Sequence, residues 1–208
     1  MEIDVMNTQK LAMPDHPVHA LIAQRWSPYA FTDRAVSMAD LKSVFEAARW
    51  AASSYNEQPW NYIVALRSNN DEFQTMLSCL VEANQRWAGA APVLVIGCTS
   101  LTFSRNGQPN AAALHDLGLA SANLTFEATS RGLFVHQMRG ILPDKVRELY
   151  HVPEGVQPLT ALAIGYAAEP EAIPEAFRDQ DLAARRRKPL SQFVFSGEWG
   201  SSSPVTEG

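Results

Sequence analysis

The stretch Ala111–Gly132, AAALHDLGLASANLTFEATSRG, decides the fold. Its residues suit one long helix, and Gly132 closes it, since glycine accepts the left-handed backbone that ends helices. A surface helix shows one apolar stripe opposite a charged face. This one is apolar or small nearly all the way round, which predicts a central position. Other elements must then pack about it.

Those elements are legible on either side. Val18–Arg25 reads as a first helix, stopped in RWSPYAF by Pro28. SMADLKSVFEAARWAA (37–52) is the clearest helix, with Ser37 as N-cap and Leu41, Val44, Phe45 and Ala48 on one stripe. NYIVALR (61–67) reads as a short strand. NDEFQTMLSCLVEANQRWA (70–88) reads as helical, with Phe73, Met76, Leu77 and Leu80 on one side. APVLVIGCTS (91–100) is continuously apolar, so it predicts a strand buried on both faces. FSRNGQPN (103–110) is a loop, LPDKVRELY (142–150) a helix and PLTALAIGYA (158–167) a third strand. A linker, AAEPEAIPEAF, leads to the basic arm DLAARRRKPLSQFVF (181–195), which ends in a candidate edge strand.

At 208 residues the chain supports one domain, 1–208. Residues 1–17 read as a loose lead-in, 177–196 as an arm and 197–208 as a partly disordered tail. An apolar fraction of 46%, a charged fraction of 19% and a net charge of −5 fit a soluble globular protein and disfavour a nucleic-acid surface. No apolar run suits a membrane span, and the N-terminus has no signal-peptide pattern. Cys79 and Cys98 stand apart and read as reduced structural thiols. These features predict a cytoplasmic protein that uses neither membrane nor nucleic acid.

The chemistry-bearing groups define a site by what is missing. There is no G-x-G-x-x-G and no G-x-x-x-x-G-K-[ST], so a phosphate must be held by side chains. Arg25 with Ser27 is one candidate cluster and Arg185 to Lys188 the other, because guanidinium forks match phosphate oxygens. Each has a plainer reading: a cation favoured at a helix C-terminus for Arg25, a solvated basic face for the arm. WAASSYNEQPWNY (50–62) offers Ser53, Ser54, Asn56 and Gln58 before Pro59 and Trp60, more polar groups than an ordinary turn needs. GLFVHQMRGI (132–141) contains Gly140, which allows close backbone approach to a ligand or merely connects a helix to a strand. His115 and Asp116 are adjacent and so diverge on a helix, and no zinc spacing occurs, so no metal site is expected. His136 has no nucleophile partner. With ligand-holding groups but no acid, base or nucleophile in evidence, a cofactor is expected to carry the reaction.

Taken in order, these stretches resemble the FMN-dependent nitroreductase family. The resemblance rests on Arg25-Trp26-Ser27; on Ala52 to Trp60 against a Pro-Ser-x-x-Asn-x-Gln-Pro-Trp turn; and on Asn84 to Trp87 ahead of Ala91-Pro92-Val93. It continues with Asp116-Leu117-Gly118, Ala128 to Leu133, His136 to Gly140, Ile164 to Tyr166 and Arg185 to Leu190. It spans residues 18 to 195 colinearly. It implies an α+β three-layer sandwich, with a mixed, mostly antiparallel sheet flanked by helices. It also implies a homodimer in which the long helix packs on its copy and the C-terminal arm, with Phe193, Val194 and Phe195, is exchanged.

The resemblance assigns the site. Arg25, Trp26 and Ser27, with Arg185 and Arg187, match the positions beside the FMN phosphate. Ser53, Ser54 and Asn56 match a turn that reaches the flavin of the other subunit, with Trp60 packing beneath. Asn84 matches an amide at the pyrimidine edge, and Gln137, Met138, Arg139 and Gly140 match the strip beside flavin N5 and O4. Three positions depart: Tyr29 stands where the family has a basic residue, Ala52 replaces a proline, and Ala112 replaces an aromatic on the substrate side. The implied activity is ping-pong transfer from NAD(P)H through flavin N5 to a small-molecule acceptor: a nitroaromatic, a quinone or another electrophile. Alternatives are a flavin-binding or sensor protein without turnover, and a specialised reductase such as an enal reductase or dehalogenase. The shortness of LTFSRNGQPN argues against the lid that specialised members carry.

Overall fold

A computed structural model describes residues 10–206. The ends of the lead-in and tail, residues 1–9 and 207–208, lie outside it. Four strands form one sheet: β1 (Trp60–Leu66), β2 (Val93–Ser100), β3 (Phe134–Met138) and β4 (Val156–Gly165), in the order β1-β2-β4-β3. All three pairings are antiparallel, which narrows the expected mixed sheet. Seven helices flank it: α1 (Ala20–Gln24), α2 (Met38–Arg49), α3 (Asn70–Leu77), α4 (Glu82–Ala88), α5 (Ala113–Ser130), α6 (Pro143–Tyr150) and α7 (Glu175–Leu182). None of the described helices is long and apolar enough to cross a membrane.

The pleat explains the three layers. Along β2, Val93 and Val95 point to one face and Leu94, Ile96 and Cys98 to the other. The first pair joins Leu162 and Ile164 of β4 and Val135 of β3 in a core with α2 and α5. The second set joins Ala161, Ala163 and Met138 in a core with Phe73, Met76, Leu80 and Trp87 from the α3–α4 side and Val146 of α6. A central strand with both faces covered must be apolar at every position, and β2 is buried from Val93 through Thr99. Cys79 and Cys98 are buried free thiols. Burial pushes the Cys98 thiol up to about 11, so it stays protonated and inert.

Ser37 caps α2 as expected, its hydroxyl accepting from Asp40 N at 3.0 Å. Leu41, Val44 and Ala48 are buried. At the far end of α5, Gly132 has φ 72°, and Leu133 N donates back to Ala128 O at 2.9 Å.

Several expectations need correction. The first helix is shorter than Val18–Arg25, because His19 takes the N-cap position and its Nδ1 accepts from Leu21 N. The stretch 70–88 is two helices. Leu80 bridges Ile141, Val81 N donates to Gly140 O and Leu142 N donates to Cys79 O, so residues 79–81 pair laterally instead of continuing the helix. The segment after α5 is a strand in its own right, β3, at the sheet edge. Phe193, Val194 and Phe195 form no strand within the chain; they follow a 3-10 turn, Leu190–Gln192. The long helix is central on one side only. Leu114 is exposed and a Cβ at Gly118 would meet nothing within 4 Å, so a flank of α5 is open.

Candidate cofactor site

Beside the α5 end of β3 lies a cleft of about 250 Å³, lined by Arg25, Ser27, Ala122, Thr125, Phe126, Val135 and Gln137. Three elements build it. α1 ends at Arg25, whose Nη1 donates to Ser27 Oγ at 3.1 Å. β3 turns Gln137 towards α5, where its Nε2 donates to Thr125 Oγ1 at 3.0 Å. α5 supplies a hydroxyl ladder: Thr125 Oγ1 donates to Ser121 O and Thr129 Oγ1 to Thr125 O. Thr125, Ala122 and Phe126 were not foreseen as lining residues. The available signal was Ser121, Thr125 and Thr129 at four-residue spacing, hydroxyls on one line of an otherwise apolar helix.

The two arginine clusters from opposite ends of the chain converge here. Arg185 Nη1 donates to Ala23 O at 2.6 Å and to Lys10 O at 3.3 Å, which fastens the arm to the end of α1. Burial, and then the nearby charge of Arg187, hold Arg25 below its ordinary pKa. Arg185 is lowered by burial, then by Arg25 and Arg187. Cations that depress one another in a partly buried place favour an anion. Arg185 Nε is moreover a buried donor without a partner among the described residues. The donor set therefore fits a phosphate.

The remaining expected residues divide. Trp26 is buried, edge-on to Phe134 at 5.6 Å with Lys10 Nζ 5.1 Å from its ring centre, so its side chain is taken up in packing. The Met138 side chain is buried on the opposite sheet face from Gln137. Arg139 is exposed, and Arg187 Nη1 meets only Arg186 O. Gly140 has a packing reason beyond ligand approach: a Cβ there would lie 2.5 Å from Asn84 Nδ2 and 2.8 Å from Val81 Cγ2. Asn84 Nδ2 donates to Gly140 O at 2.9 Å, so this amide is oriented by the 137–140 strip.

Ser53, Ser54 and Asn56 are not part of the cleft within one chain. Ser54 N donates to Asp116 Oδ2 at 3.1 Å, in the first turn of α5. The cleft touches α5 at Ala122, Thr125 and Phe126, six to ten residues further on, about 9–15 Å along the axis. Trp60 packs partly buried against the α2–α5 core.

The departures have clear surroundings. Tyr29 stacks on Phe177 (5.3 Å, 3°) and meets Trp87 and His136 edge-on. Its N–H donates to Asp181 Oδ1 at 3.1 Å. His136 Nδ1 contacts Pro28 O at 2.9 Å, and burial lowers its pKa. A basic residue at 29 would be set among rings, whereas tyrosine ties the arm to the body. Ala112 sits just ahead of α5, where its N–H donates to Asn110 Oδ1.

The nitroreductase family profile matches residues 22–166. An uncharacterised 15.4 kDa protein of Mycolicibacterium smegmatis is 34% identical over 131 residues, covering 63% of this chain and 87% of that one. The FMN reductase (NAD(P)H) of Bacillus subtilis (strain 168) is 27% identical over 161 residues, covering 69% and 63%. A solved oxidoreductase containing FMN superposes with a TM-score of 0.86 at 30% identity, over 92% of this chain and 97% of that one.

Proposed function

The chain belongs to the nitroreductase family, and from that premise we propose that it is an FMN- and NAD(P)H-dependent oxidoreductase, working as a homodimer, that reduces small electrophilic acceptors. The observation that carries the reading is the convergence of Arg25, Arg185 and Arg187 beside the Gln137 cleft. Arg25, Ser27, Arg185 and Arg187 would hold the FMN phosphate, Gln137 to Gly140 the flavin edge, and Asn84 its pyrimidine side. The chemistry that bound FMN supplies is two-electron transfer from NAD(P)H to an acceptor at one face of its ring.

The protein's share is binding and orientation. Guanidinium groups anchor the anionic end and so fix where the ring lies, which sets approach geometry. Backbone N–H groups on the outer edge of β3, an edge strand, have no neighbouring strand among the described residues to receive them, so they can stabilise charge developing on a ring placed there.

Pairing of two chains explains the distance between the cleft and the serine turn. Leu114, Gly118 and Ala122 lie along the open flank of α5 at four-residue spacing. A two-fold axis crossing α5 at right angles near Gly118–Ala122 would set the Asp116 end of one helix beside the Thr125 end of the other. Ser53, Ser54 and Asn56 of each chain would then reach the other chain's cleft. Phe193 on the arm (58% exposed) and Trp199 on the tail (94%) are further apolar groups that a second copy would cover.

The test is initial-rate kinetics of the FMN-loaded protein with NADH or NADPH against a quinone, a nitroaromatic and an activated alkene. If donor and acceptor occupy the same place in turn, double-reciprocal plots are parallel. Intersecting lines would reject shared occupancy, and no turnover with any acceptor would reject the enzyme.

A further inference from the structure

We propose that Arg105, held on Tyr55 and Phe103, recognises an anionic group on the molecule that docks over the flavin; this rests on the dimeric reading above. The Arg105 guanidinium carbon lies 4.3 Å from the Tyr55 ring centre and 5.2 Å from that of Phe103. The two rings meet edge-on at 5.7 Å. Arg105 is exposed and makes no ion pair and no side-chain hydrogen bond among the described residues. A guanidinium fixed on aromatic faces keeps its five donors and its charge while losing little freedom, so it is ready for a phosphate or carboxylate. The nearby Glu57 makes no ion pair with it among the described residues; its Oε1 accepts from Ser104 N at 2.7 Å and so ties the loop to the turn.

The placement gives this group its partner. Tyr55 is the middle residue of the turn Ser54–Asn56, which is anchored on Asp116 and would reach the other chain's cleft. Tyr55, Asn56 and Gln58 all have φ between 53° and 55°, left-handed backbone that non-glycine residues rarely adopt. The turn is held there by Gln58 N donating to Ser53 Oγ and Gln58 Nε2 donating to Asn56 O. The result is a Tyr55 ring 75% exposed, with Arg105 over it, at the rim of the proposed cleft. Phe103 and Arg105 belong to a tight hairpin, closed by Thr102 pairing with Pro109, that stands ahead of Ala112. With alanine at 112, Tyr55 and Phe103 become the aromatic groups nearest that rim on this side, and Arg105 adds a charge.

Two sources offer the anion: the 2′-phosphate of NADPH, or a carboxylate on the acceptor. The test compares wild type, Arg105→Gln and Arg105→Lys as FMN-loaded protein. One arm measures binding of 2′,5′-ADP against 5′-AMP by calorimetry, without turnover. The other measures KM for 4-nitrobenzoate against neutral 4-nitrobenzamide. Arg105→Gln is expected to weaken the anionic ligand about tenfold in at least one arm, leaving the neutral ligand and kcat unchanged, with Arg105→Lys recovering part of the loss. The arm that responds identifies the source. Equal effects on charged and neutral ligands, or none in either arm, overturn the assignment and make Arg105 a loop staple. Failure of wild type to hold FMN or turn over instead removes the dimeric flavoenzyme reading, and this inference with it.

Discussion

At Arg25 two costs meet: the guanidinium is partly buried, and Arg187 stands near it with the same sign. An anion between them would offset both, which is the role proposed for the FMN phosphate. Arg25→Ala should weaken FMN binding by about 10- to 100-fold, the equivalent of a charged hydrogen bond, with the dimer intact. Flavin fluorescence on dialysis measures it, and unchanged retention would remove Arg25 from the phosphate site. Gly140 carries a second prediction. An added methyl at 2.5 Å from Asn84 Nδ2 must move Asn84, so Gly140→Ala should cost about 1–3 kcal/mol in chemical denaturation and loosen flavin binding. A neutral effect on both would show that α4 yields freely. The arginines stood out in the sequence because a chain that binds a phosphate without a glycine loop would hold it with side chains. Gly140 was legible as a special position, but its reason, contact with Asn84 and Val81, is tertiary and leaves no local pattern. Trp26 and Met138 show the converse: position in a motif does not say whether the side chain is free or buried in packing.

Among elements, α2 and α5 were readable from stripe, cap and closing glycine, since those signals are local. The break between α3 and α4 was not, because 70–88 has helical periodicity throughout and only pairing of Leu80 with Ile141 interrupts it. β3 is five residues long, too short for alternation to separate it from a loop. The α2–α5 contact supports a pH prediction. Asp40 accepts from the Ser37 hydroxyl at 2.7 Å and from Arg131 Nη1 at 3.0 Å, and these hold its pKa below the ordinary value of 3.8. A folded-state pKa below the unfolded one means stability that is present above about 4 and lost as pH falls through the folded value. Asp40→Asn should therefore be less stable than wild type at neutral pH, and the gap should close in acid. Thermal melts across that range check it; a constant gap would mean the carboxylate charge contributes nothing.

At the scale of the whole molecule, the C-terminal arm is tied to the body from several sides. Arg185 bonds the end of α1, Asp181 receives the Tyr29 N–H, Phe177 stacks on Tyr29, and Lys10 Nζ donates to Ala183 O at 2.7 Å. The fold was legible because several short motifs occur in order. The exchange of the arm rests on the family resemblance, and within the chain Phe193 is exposed. Truncation before Phe177 removes two of the three convergent arginines as well as these ties. It should abolish flavin retention and lower dimer stability in sedimentation; a flavin-replete, stable truncated dimer would refute the role of the arm. The most direct measurement is the visible spectrum of the purified protein, followed by anaerobic titration with NADPH and NADH. A yellow protein that bleaches on adding either donor is the predicted result. Material that stays colourless after incubation with FMN, or whose flavin spectrum neither donor changes, would contradict the account.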